Sequence, residues 1–113
     1  MTKDSMFPQA TPDSNAMRQD LGKENLDAWR QFSKQVFADG ALPGKTKQLI
    51  AVAVAHVTQC PYCIRAHTQQ AVTSGATPQE IMEAIWVAAE MRAGAAVAHS
   101  TLALDVLQEQ QSK

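Results

Sequence analysis

The sequence has little of what would tie it to a nucleic acid, a membrane or a disulfide scaffold. Basic and acidic residues nearly balance, ten against eleven, and the formal net charge is -1. That leaves no basic surplus for a phosphate backbone. No block of like charge marks a tail or a membrane-surface patch. The longest apolar run, "LIAVAVAHV", falls far short of the roughly 20 residues that span a bilayer. The first residues, "MTKDSMFPQATPDSNAMRQD", have no basic start followed by an apolar core, so they do not read as a secretory signal. The expected setting is the cytoplasm. Cysteine is scarce as well: Cys60 and Cys63 are the two in 113 residues. Two close cysteines in a reducing compartment are more often catalytic or metal-bound than a structural staple. Internal repeats, low-complexity stretches and convincing strands are missing too.

What is present is helical periodicity. Residues 1–12, with Pro8 and Pro12, read as a loose lead-in, and residues 13–113 as one domain. Met17, Leu21, Leu26, Trp29, Phe32, Val36 and Phe37 recur at helical spacing, so a first helix from Asp13 or Ser14 is expected to bury one face. Gly22 weakens its middle. "DGALPGK" (39–45) is a break. The stretch "KTKQLIAVAVAHVTQ" (45–59) alternates like a strand in part, but its length and alanines favour a buried helix. Pro61 suits the first position of a further helix, with Cys60 as its cap and Gly75 beyond its end. Thr77, Pro78 and Glu80 form a capping box for the next. Ile81, Ala84, Ile85, Ala88 and Ala89 make its apolar stripe. Gly94 is read as another junction, before a last helix over roughly 94–109 that buries Val97, Leu102 or Thr101, Leu104, Val106 and Leu107. The expected class is all-α, with five to six short helices. So small a chain, rich in small apolar residues, often completes its core with a second copy.

"CPYCIRAH" (60–67) carries the chemistry. Cys60 at a helix cap and Cys63 one turn on lie near unpaired backbone N–H groups, which stabilise a thiolate. His67, four residues past Cys63, shares its face. A neutral His67 can take the Cys63 proton; Cys63 can then attack a peroxide O–O bond and become a sulfenic acid, and Cys60 can condense with it. An external dithiol resets the pair, and no bound cofactor is needed. Zinc could accept Cys60, Cys63, His67 and His56, but all four fall within twelve residues, whereas structural zinc sites draw on separated pieces of chain; no metal is assigned. His56 otherwise reads as a core histidine or a supporting neighbour of Cys60. His99 has only small residues around it, and Tyr62 reads as a rim residue that could touch substrate. "CPYC" also occurs in glutaredoxins, but a thioredoxin-like fold needs strands and a proline turn after residue 67, and only helical sequence follows.

From about Pro43 to Leu107 the chain resembles the carboxymuconolactone decarboxylase superfamily, in its alkylhydroperoxidase D-like branch. The residues that carry this are C-x-x-C-x-x-x-H at 60–67, preceded by a helix and followed by "GATPQEI" and an alanine-rich helix. The resemblance implies an all-α homo-oligomer, a trimer or hexamer with sites near subunit contacts. It implies a thiol-dependent peroxidase acting on a hydroperoxide with a dithiol reductant. It gives the attack to Cys63, the resolving step to Cys60 and a proton relay to His67. One departure stands out: the family's relay glutamate, twelve residues before the first cysteine, is Gln48 here. An amide can orient a water or His67 but cannot take a proton. His56, Glu83, Glu90 and His99 are candidate substitutes. The alternatives are a redox-sensing or metal-binding module without catalysis, and a decarboxylase-like member. The decarboxylase branch lacks the cysteine pair, which argues against that last reading.

Overall fold

The computed structural model describes residues 6–113 as four helices, with no strand among them. Residues 1–5 of the expected lead-in lie outside the described residues. Helix α1 (Pro12–Phe37) starts at Thr11, whose side chain and that of Ser14 cap each other's backbone N–H groups. Gly22 interrupts it with non-helical angles (φ -161°, ψ 48°), so the helix kinks where its weakest helix former stands.

Helix α2 (Gly44–Thr58) settles the ambiguity of that stretch in favour of a helix. Its alanines and lysines are good helix formers, and Pro43 stands just before its first turn. The Asp39 carboxylate accepts the Gly44 N–H, and Lys47 donates to the Ala38 carbonyl, which fixes the turn between α1 and α2. Gln59 closes α2 in the left-handed region (φ 58°). Helix α3 (Pro61–Thr73) then begins on Cys60, and Gly75 (φ 95°) turns the chain out of it. Helix α4 (Pro78–Gln111) opens on the Thr77–Glu80 capping box.

Two expectations are corrected. Among the described residues the helices number four rather than five or six, because α4 runs unbroken through Gly94. A glycine inside a helix costs about 1 kcal/mol relative to alanine, whereas a break would leave two more sets of unpaired backbone groups. The alanines that flank Gly94 keep the ladder intact.

The other correction concerns burial. No residue of α1 is buried, and Met17, Leu21, Trp29, Phe32 and Val36 are exposed. So are Val97, Leu102, Leu104, Val106 and Leu107 at the far end of α4. Their periodicity is helical, but within one chain no element covers them.

The core lies where α2, α3 and the first turns of α4 meet. Val52, Ala71, Ala76 and Ile81 form it, with Leu49 and Ile85 packed against them. Val52 and Ala71 have no exposed surface. Most of these side chains are small, so the three helices approach closely and hold α3 in a fixed register on α2. Lys45 Nζ meets Glu80 Oε2 at 2.8 Å and ties the start of α2 to the start of α4. Among the described residues no helix is long and apolar enough to cross a membrane.

Candidate redox site

The site grows from the first turn of α3. Cys60 has the extended backbone of a cap residue (φ -99°, ψ 102°), and its sulfur accepts the Cys63 N–H at 3.2 Å. Pro61, at the first helical position, has no N–H to offer. Both cysteines are free thiols and half-buried. A hydrogen bond from Cys63 and the backbone N–H groups of Cys63 and Tyr62 pull the Cys60 thiol below its ordinary range. The Cys63 thiol moves the other way: its hydrogen bond to the Cys60 sulfur, partial burial and the Cys60 charge push it up. Of the two thiols, Cys60 is therefore the one more readily ionised.

One turn further along α3, His67 points back toward α2. Its Nδ1 lies 2.8 Å from Gln48 Oε1. Gln48 is the one buried polar residue among those described, and this bond satisfies it. An amide oxygen only accepts, so Nδ1 must carry the hydrogen; in the neutral ring the free lone pair is then on Nε2. Phe37, the last residue of α1, stacks on the imidazole with ring centroids 5.0 Å apart and planes at 29°. Three helices therefore hold one ring: α3 carries it, α2 fixes its tautomer and α1 covers its face.

The other candidates divide. Tyr62 lies on the rim, half-exposed, and Phe7 meets its ring edge-on at 6.2 Å. His56 turns its Nδ1 to the Val52 carbonyl of its own helix at 2.7 Å. His99 does the same with Ala95 on the exposed part of α4. Glu83 and Glu90 are exposed. Among the described residues no three His, Cys, Asp or Glu side chains converge to hold a metal ion, so the structure does not gather His56, Cys60, Cys63 and His67 into one cluster. Phe37 was not foreseen: at the end of a helix predicted from periodicity, it reads as one more core residue.

The carboxymuconolactone decarboxylase family model matches residues 23–106. An uncharacterised protein of the cox locus of Paracoccus denitrificans is 69% identical over 83 residues, which cover 74% of this chain and 75% of that one. The crystal structure of a carboxymuconolactone decarboxylase family protein from Legionella pneumophila superposes with a TM-score of 0.68 at 33% identity, covering 86% of this chain and 87% of that one. A family member from Thermotoga maritima, described as having a possible part in an antioxidative response, gives a TM-score of 0.59 at 30% identity, over 80% of this chain and 94% of that one. The matched region takes in α1 beyond its kink at Gly22, Gln48, the cysteine pair and His67, and the chain belongs to the carboxymuconolactone decarboxylase family.

Proposed function

We propose that the chain is a dithiol–disulfide oxidoreductase of the thiol-peroxidase kind, with Cys60 and Cys63 as its redox couple and His67 as its proton carrier. One observation carries this reading: two free thiols share the start of a helix, and on the same helix stands an imidazole with its hydrogen committed to Gln48 Oε1 and its Nε2 left to accept. The possible antioxidative part of the Thermotoga relative agrees with it.

In the peroxide reaction that the family resemblance implies, His67 takes the Cys63 proton and the sulfur attacks the O–O bond. An alcohol leaves and Cys63 becomes a sulfenic acid. Cys60 displaces water from it, the disulfide forms, and an external dithiol reduces the pair again. A cytoplasmic setting keeps such a dithiol at hand. No bound cofactor is required. Further copies of the chain, as a trimer or hexamer, are proposed partners.

A second reading is a redox sensor or slow exchanger. Gln48 favours it, because an amide cannot pass a proton on, and general-base help is worth about 10²- to 10⁴-fold in rate. The deciding measurement is thiol loss from reduced protein on adding cumene hydroperoxide or hydrogen peroxide. Loss well above that of a small-molecule thiol, abolished in Cys63→Ser, supports the peroxidase. Loss no faster than the small thiol in the wild type, but accelerated in Gln48→Glu, removes peroxide as substrate and leaves disulfide exchange or sensing.

A further inference from the structure

One side of α3 takes no part in the redox site. His67 turns to α2, where its ring meets Gln48. Tyr62, Arg65, Ala66 and Gln69, spaced by three, one and three, share a different side of the helix. The segment before α1 runs along that side. Gln9 and Ala10 from it, with Tyr62 and Arg65, line a cavity of about 600 Å³. The same Gln9, Ala10 and Tyr62 line an adjoining cavity of about 360 Å³, together with Ser14 and Arg18 of α1. Both volumes are of small-ligand size, about 300–1,000 Å³. Each cavity has one arginine, and the two arginines come from different helices.

Charge is one-sided in this cleft. The chain has eleven acidic residues against ten basic, yet no described residue lining either cavity is acidic. The ion pairs among the described residues engage Lys23 and Lys45, so neither arginine has a carboxylate partner. Arg18 donates to the neutral Asn15 Oδ1 at 3.0 Å. Arg65 makes no hydrogen bond among the described residues, whereas Arg30 and Arg92 each make one. A guanidinium carries five donors in a planar fork that matches an acidic head group. Beside these cations lies apolar surface. Half of the Tyr62 side chain is open, Phe7 meets its ring edge-on, and Ile64 and Ala66 extend the lining. Such a cleft selects a ligand with both an apolar body and a negative head.

We propose that this cleft binds a small organic anion, with its apolar body on the Tyr62 ring and its acidic head on Arg65, and with Arg18 adding attraction from the adjoining cavity. Aryl carboxylates and aryl phosphates share that chemistry. The site needs no redox step at the cysteines, so it stands or falls apart from the function proposed above.

The test titrates the full chain with naphthoate at low salt and follows the backbone amides by NMR. Saturable shifts at about millimolar probe are expected at Gln9, Tyr62, Arg65 and Gln69. Naphthyl phosphate should move the same amides, and the tighter of the two probes names the acid. Uncharged naphthamide should bind several-fold more weakly. Arg65→Gln should weaken naphthoate about two- to fivefold, and Arg18→Gln by less. Lys34→Gln makes the same change of charge elsewhere on α1 and should leave the affinity as it was. Naphthamide bound as tightly as naphthoate would overturn the proposal, because the head would then go unread. An equal loss in Lys34→Gln would do so by reducing the effect to net charge. Shifts confined to Val54, Val57 and Met91 would put the probe in the apolar cleft between α2 and α4 instead. No shift at the expected amides, as cover by a second copy would give, would also overturn it.

Discussion

Gln48 and His67 stand nineteen positions apart and meet at 2.8 Å. The bond orients the ring and leaves Nε2 to do chemistry, but a neutral partner lends the imidazolium no charge. A carboxylate in its place would favour the charged ring. Gln48→Glu is therefore expected to speed His67-dependent thiol loss about a hundredfold. A rate left unchanged by Gln48→Glu would show that the partner of the ring does not limit the proton transfer. The cap at Cys60 was legible in the sequence because it is local: a proline one residue on and a glycine past the far end mark that helix. The importance of Gln48 came only from the family's spacing, since no local pattern joins residues so far apart. Phe37 carried no signal at all, because stacking on an imidazole from another helix is a tertiary fact.

Among the elements, α4 depends most on its first turn. Glu80 accepts the Thr77 N–H, meets Lys45 of α2, and so locks the start of α4 to the core. The Lys45 ammonium first, and the Thr77 backbone N–H next, hold its carboxyl below the ordinary glutamate range. The folded value lies below the unfolded one, about 4.3. The stabilisation is therefore complete above that pH and is lost as pH falls through the folded value. The thermal midpoint should drop more steeply below about pH 4 in the wild type than in Glu80→Gln. Curves that stay parallel would mean that the pair is screened out by solvent, as exposed pairs often are. The capping box was readable because its signature spans four adjacent residues. Gly94 misled, because a glycine signals a helix end only when nothing downstream rewards continuation, and here the alanines on both sides do.

Taken whole, the chain is larger than its mass allows for a self-sufficient domain. Its radius of gyration is 19.8 Å, against about 13 Å for a compact chain of this length. It exposes 8873 Å², roughly 2,800 Å² more than a monomer of its mass usually shows. A standard interface takes about 800 Å² from each partner, so the surplus suffices for more than one. The apolar side chains of α1 and of the far half of α4 make up much of it. Periodicity told correctly that these faces are apolar; it could not tell that the other helices of the chain leave them exposed. We propose that further copies supply it. Light scattering should find several chains per particle, and Trp29→Glu, at a position 62% exposed in the single chain, should lower that number. A wild type monomeric at tens of micromolar would refute this.

Phe37, which roofs the His67 ring, belongs to the helix that has least to hold it in an isolated chain. On the proposal that further copies cover α1, mass action reaches the site as well. Dilution below the dissociation constant of such an assembly is expected to free α1 and uncover the imidazole, and His67-dependent thiol loss per subunit should then fall with protein concentration.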